Sequence, residues 1–145
     1  MIVKEVIYTD YQQQIRKIRT QVFIREQSVP ESLEYDDRDR LCRHVLAFDG
    51  EAVVATGRID IDKGGKIGRV AVLATHRNRG IGVEIMHALH RIARRAGLSS
   101  VCMNAQHSAK AFYLAQGYLP EGEVFMEAGI PHQKMTKQIV TELGR

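Results

Sequence analysis

Hydrophobic and polar positions change their period several times along the chain, and each change marks an element. Residues 2–8 (IVKEVIY) read as a strand. Over 11–25, Ile15, Ile18, Val22 and Phe23 recur at helical spacing and predict an amphipathic helix. Residues 26–41 are polar, acidic and irregular. The apolar run His44–Phe48 then meets Asp49-Gly50, a pair that favours the tight turns of β-hairpins. Ala52–Ile61 reads as the next strand, Gly64-Gly65 as a second turn and Lys66–Leu73 as the returning strand. The first half is thus a strand, a helix and an antiparallel meander.

The second half is more helical. Gly80 opens a helix that runs to about Ala96, with Ile81, Ile85, Leu89, Ile92, Ala93 and Ala96 as its buried stripe. Arg91, Arg94 and Arg95 lie off that stripe, and Gly97 stops the helix. Ser99–Met103 reads as a strand. Ser108 is placed to cap a helix that reaches Gln116 and ends at Gly117. Strand resumes at Tyr118, and residues 132–140 form the last one. There is no internal repeat, and no linker marks a boundary, so residues 1–145 read as one domain.

Composition narrows the class. At 44% hydrophobic residues the chain can bury one sizeable core. No apolar run approaches the ~20 residues that cross a bilayer. The opening MIVKEVIYTDYQQQ turns polar too early for a secretory signal. Cys42 and Cys102 lie far apart, match no metal spacing and read as free thiols of a cytoplasmic protein. The net charge is +4. No aromatic platform is interleaved with the arginines and no nucleic-acid-binding motif is present, so a small polyanionic ligand accounts for the charge better than nucleic acid does.

A site for such a ligand is visible in Arg69–Gly82, RVAVLATHRNRGIG. A strand ends, a basic loop follows, and two glycines sit where a helix begins. The first turn of a helix leaves its N–H groups without intrahelical partners and carries the positive end of the dipole. Glycine lets a phosphate approach that backbone. Arg77, Asn78, Arg79, Gly80, Ile81 and Gly82 are the candidate cradle. A Rossmann site needs a third glycine where Ile85 stands, and no Lys-Ser or Lys-Thr pair follows as in a P-loop. These residues alone also fit a basic helix N-terminus that binds nothing.

Arg77, Gly80 and Gly82 resemble the R/Q-x-x-G-x-G/A signature of GNAT acyltransferases. Ala109, Tyr113, Gly117 and Tyr118 resemble that family's N-x-x-A-x-x-x-Y-x-x-x-G-F/Y segment, with Gln106 in place of the Asn. VFIREQSVP, EYDDRD with His44, NAQ at 104–106 and EAGIPH at 127–132 are similar to the small ElaA/YjcF-like branch, and this likeness covers nearly the whole chain. The resemblance implies an α/β (α+β) GNAT fold, with a central mixed, mostly antiparallel sheet flanked by helices. It implies acetyl-CoA as cosubstrate, a primary amine of a small molecule or peptide as acceptor, and no metal. The cradle amides would hold the CoA pyrophosphate, and the backbone of Val70, Ala71 and Val72 would pair with the pantetheine arm. Gln106 and Ala109 would complete the CoA site.

Acyl transfer to an amine needs a base, an oxyanion donor and a proton for the departing thiolate. The resemblance implies Tyr113 as the acid and a backbone N–H near Val72 as the oxyanion donor. Read from the residues alone, Tyr113 also fits a packing residue beside Phe112. For the base, Glu26, Glu127, His132 and a water chain all stay open, and imidazole is the side chain that exchanges a proton near neutrality. Glu31, Glu34, Asp36, Asp37 and Asp39 form an acidic cluster interleaved with Arg38 and Arg40. It reads either as a self-paired loop or as a lip, with Glu34, Asp36 and Glu127, that attracts a cationic amine. Two other readings are kept. Arg19, Val22-Phe23, Glu34, Asp36, Asp39 and Arg58 resemble acyl-homoserine-lactone synthases, and a non-catalytic CoA-binding module is the other. A homodimer is compatible with the fold, with the tail after Lys134 as an edge strand.

Overall fold

The computed structural model describes residues 1–140. Strands are β1 (Ile2–Val6), β2 (Arg43–Asp49), β3 (Ala52–Asp60), β4 (Lys66–Val72), β5 (Ser100–Gln106), β6 (Leu119–Glu127) and β7 (Ile130–Gln138). Helices are α1 (Tyr8–Arg19), α2 (Glu31–Glu34), α3 (Ile81–Arg95) and α4 (Lys110–Ala115). The strands form one sheet in the order β1-β2-β3-β4-β5-β7-β6. Each neighbouring pair is antiparallel except β4 with β5. This is the mixed, mostly antiparallel sheet that the sequence implied.

Helices cover both faces because the strand side chains alternate. In β2, Val45 and Ala47 face the cluster that contains Ile85, Leu89 and Ile92 of α3. Leu46, between them, faces Tyr8 and Ile15 of α1. Close contact of α3 with the sheet requires glycine at position 57, where a β-carbon would come within 2.8 Å of Ile85 Cγ2. The Gly64-Gly65 turn is equally tight, with Leu98 Cδ1 at 2.9 Å from a β-carbon built on Gly65.

Several expected boundaries move. The first helix starts earlier, at Tyr8, has non-helical dihedrals at Tyr11, and continues as a π-helical turn over Thr20–Glu26. Val22 and Phe23 are buried from that wider turn. Ala96 is not part of the buried stripe: it is exposed as the C-cap of α3, and Met86 and Ala88 are buried instead. Ser108 caps nothing, because it lies in a 3₁₀ turn, His107–Ala109, ahead of α4. Of the tail after Lys134, expected as an edge strand, residues 135–138 belong to β7, which β5 and β6 enclose, so the edge strand on this side is β6 among the described residues; residues 141–145 lie outside them.

Candidate active site

The sheet opens in its middle. β4 and β5 share one ladder position, Lys66 opposite Cys102, and then separate. Beyond it, Thr56 to Arg58 of β3 spans Ala71 to Gly68 of β4, so two steps face three and β4 carries a bulge. A bulge bends its strand and raises the local twist, which turns the rest of β4 away from β5. Arg69 lies in the bulge with φ of 53°, in the left-handed region.

The separation leaves a cleft of about 460 Å³. Gly68, Arg69 and Val70 of β4 line one wall. Asn104, Ala105 and Gln106 of β5, with Ala109 and Tyr113, line the other. Phe23, Gln27, Leu33 and Glu34 close it on one side, and Glu127, Ala128, Ile130 and His132 of the β6–β7 hairpin close it on another. Main-chain groups of β4 that would pair with β5 in a closed sheet face this space. That suits an extended amide-bearing chain.

The loop after β4 leads to the N-terminus of α3. Asn78 and Gly80 both have left-handed φ, 62° and 77°. No side chain caps α3, so the N–H groups of its first turn point outward as a ready anion site. Ile81 is buried in the core and anchors this turn, while Arg79 is exposed beside it. A β-carbon on Gly82 would come within 3.2 Å of Phe112 Cζ, so this turn packs under α4. Arg77 donates from Nε to Val72 O at 2.9 Å and pairs through Nη2 with Glu26 Oε2 at 2.9 Å. It ties the loop to the end of β4 and to the π-helical turn. Glu26 therefore sits at the phosphate loop, outside the cleft lining. Of the expected pantetheine-binding residues, Val70 lines the cleft, Val72 is half-buried and Ala71 is buried against α1 and the π-helical turn, with Ile18 and Val22.

Tyr113 stands in the cleft wall, edge-on to Phe112 and Tyr118 with ring centroids 5.1 and 5.8 Å away. Its hydroxyl has no hydrogen-bond partner among the described residues. Burial pushes the phenol up to about 12. Tyr118 donates to, or accepts from, His90 Nε2 at 2.6 Å in the core below.

His132 is buried, with its ring stacked on Phe125 at 6.0 Å. Nδ1 lies 2.7 Å from Ile130 O. A carbonyl only accepts, so Nδ1 carries the hydrogen and Nε2 of the neutral ring holds the lone pair. Nε2 is 3.5 Å from Glu127 Oε2, a carboxylate that would stabilise a proton gained there.

The acidic cluster is mostly engaged in ion pairs. Arg19, only 1% exposed, donates to Asp39 Oδ1 at 2.7 Å and to Glu34 O at 2.9 Å, and pairs with the Glu34 carboxylate. Arg58 donates to Asp39 Oδ1 and Asp36 Oδ2, both at 2.7 Å. The hydrogen bond from Arg58 holds the Asp36 carboxyl well below its ordinary range. Burial acts upward on Asp39, yet Arg19 and Arg58 hold it below. Burial outweighs Arg19 at Glu34 and pushes that carboxyl up. The network fastens the loop around α2 to α1, β3 and β4. Of its acids, Glu34 lines the cleft and Asp36 does not.

Three site residues were given no site role in the sequence reading. Gln27 accepts from Gln106 Nε2 at 2.7 Å, across 79 positions of sequence. Phe23 read as a helix position within the segments that carry the resemblances, and Arg69 as a position in the strand Lys66–Leu73. Sequence periodicity carries no information on which long-range neighbours meet at a splayed strand.

A family model described as the acetyltransferase (GNAT) domain matches residues 7–139. The chain belongs to the GNAT family of acyltransferases. It is 42% identical over 123 residues to the uncharacterized N-acetyltransferase YjcF of Bacillus subtilis, covering 83% of this chain and 87% of YjcF. It is 31% identical over 130 residues to ElaA of Escherichia coli, covering 86% of this chain and 85% of ElaA. The crystal structure of ElaA superposes with a TM-score of 0.85 at 26% identity, over 94% of this chain and 99% of ElaA. An acyl-CoA N-acyltransferase from Pseudomonas aeruginosa superposes with a TM-score of 0.84 at 27% identity, over 94% of this chain and 98% of that one. The place in the ElaA/YjcF-like branch thus rests on both sequence and structure.

Proposed function

We propose that this acyltransferase moves an acetyl group from acetyl-CoA to a primary amine, in the cytoplasm. The observation that carries the reading is the cleft between β4 and β5. It joins one wall of main-chain groups to Tyr113 on one side and His132 on the other. The chain's likeness to an N-acetyltransferase of Bacillus subtilis and an acyl-CoA N-acyltransferase of Pseudomonas aeruginosa supports the reading.

Acetyl-CoA supplies an acyl group on a thiolate leaving group. In our assignment, the α3 N-terminus and the turn of Asn78, Arg79 and Gly80 bind its pyrophosphate, with Ile81 and Gly82 giving N–H groups. Val70 to Val72 hold the pantetheine through backbone bonds, and the amide near Val72 donates to the carbonyl oxygen. Gln106 and Ala109 complete that wall. The His132 Nε2 lone pair takes a proton from the amine, and Glu127 stabilises the imidazolium. The amine nitrogen bonds to the acyl carbon, the C–S bond breaks, and the sulfur receives a hydrogen from Tyr113. A phenol near 12 stays protonated at neutral pH, as a donor must. Glu26 positions Arg77, and Glu34 and Asp36 hold the loop that walls the acceptor side.

The test is acetyl-CoA turnover against a broad amine panel, read by thiol release, with thermal shift as a separate measure of binding. Expected are a rise in Tm with acetyl-CoA and amine-dependent thiol release. A clear shift with no release from any amine would replace this reading with a binding module.

A further inference from the structure

Arg69 is the member of the ionic network that is poorly satisfied. Arg19 and Arg58 hold their carboxylates at 2.7 Å. Arg69 reaches Glu34 and Asp36 only at 3.4 Å, and its bonds to the carbonyls of Leu33 and Glu34 are 3.3 Å long. Its Nη1 has no partner among the described residues. Burial and repulsion from Arg58 and Arg19 outweigh its attraction to Glu34 and Asp36, so its charged form is less favoured than that of an arginine in water. An incoming anion would relieve both deficits. The backbone under it is in a left-handed conformation that non-glycine residues rarely adopt, and such outliers persist where surrounding structure holds them, often at ligand sites.

Arg69 also faces the right place. Its residue forms part of the β4 wall of the cleft, and Glu127 with His132 lies on the β6–β7 hairpin bordering the same space. A cation and an anion presented from two sides of one cleft complement a molecule that bears an amine and a carboxylate. Arginine suits the second group because its planar fork meets a carboxylate with two parallel N–H groups.

We infer that the acceptor carries a carboxylate, received by Arg69, and that its amine is directed toward His132 and Glu127. The substrate class is then an amino acid, or a peptide bearing an acid close to its amine, rather than a simple polyamine. The inference rests on the acyl-transfer reading of the cleft.

The test compares L-amino acids, leucine and phenylalanine among them, with their amides, and with dipeptides that carry the carboxylate one residue further away. Wild-type kcat/KM is expected to favour the acid over its amide by about tenfold or more, as for a charge-assisted pair. Arg69→Met should remove that preference, and Arg69→Lys should keep part of it, with acetyl-CoA affinity unchanged in both. The dipeptides decide between free amino acid and peptide. Binding of N-acetylphenylalanine against N-acetylphenylalaninamide, measured by thermal shift with CoA present, reads the same contact without turnover. Discrimination in wild type that vanishes in Arg69→Met supports the inference even if no amine turns over. Equal treatment of acid and amide in wild type, or a preference that survives in folded Arg69→Met, overturns it. Brisk acetylation only of amines that lack a carboxylate would overturn it and leave the acyl-transfer reading standing.

Discussion

Gly82 of α3 faces Phe112 of α4 so closely that a β-carbon on Gly82 would lie 3.2 Å from Cζ of the phenylalanine ring. The glycine opens α3 where phosphate is proposed to bind, and the ring lies on α4 beside Tyr113. Crowding at this point therefore disturbs the proposed cosubstrate site and the proposed acid together. Gly82→Ala is expected to weaken acetyl-CoA binding, while its effect on Tm sets the helix preference of alanine over glycine against displacement of the Phe112 ring. With Phe112→Ala added, the double variant should be more stable than the two single changes summed, because neighbouring residues couple non-additively. A thermal-denaturation cycle over the four proteins checks this, and strict additivity would mean that the ring is not what the new methyl meets.

Tyr113→Phe removes one hydroxyl and keeps the packing against Phe112 and Tyr118. The expected result is a fall in kcat and kcat/KM together, by about a hundredfold, with acetyl-CoA affinity nearly intact. With burial holding the phenol near 12, deprotonation of Tyr113 should not limit the wild-type rate below about pH 10. Steady-state kinetics across that range test both points. Wild-type turnover in the variant would reduce Tyr113 to a packing residue.

His132→Gln keeps a polar group in the β7 wall but removes the basic lone pair of Nε2. If that nitrogen takes the proton of the amine, kcat/KM should fall by about a hundredfold. Glu127→Gln should cost less, because it alters only the stabilisation of the imidazolium across 3.5 Å. A larger loss in Glu26→Gln, without a change in acetyl-CoA binding, would move the base to the other end of the site.

His90 makes stability depend on acid. Burial, with Lys137 and Arg94 nearby, lowers its pKa to about 4, against about 6.5 in an unfolded chain. Between those values the unfolded state binds more protons, so stability falls as pH drops from about 6.5 toward 4. The slope for one proton is about 1.4 kcal/mol per pH unit. His44, also pushed down by burial, acts in the same direction. His90→Gln keeps a hydrogen-bonding group for Tyr118 and should reduce the slope of urea-derived stability over this range. An unchanged slope would assign the effect elsewhere.

The hydrophobic pattern alone determined much of this protein. Short apolar runs punctuated by Asp49-Gly50 and Gly64-Gly65 marked the β2–β4 meander, since such pairs favour the tight turns that join antiparallel strands. The Ile81–Ala93 stripe dictated α3, and the glycines before it marked its open N-terminus. These signals are local, and the resemblance drawn from them named the family. The centre of the cleft was not legible. A bulge at Arg69 is an extra residue in a strand, with no pattern of its own until β3 is paired to β4. The acidic run could have been a solvated lip, and only packing showed Arg19 and Arg58 buried against it. Which of Glu26 and His132 borders the cleft was likewise a matter of tertiary placement, because Arg77 holds one and Ile130 O orients the other. Sequence spacing fixes which residues share a face, whereas the long-range pairing of charges and the divergence of two strands are properties of the assembled sheet.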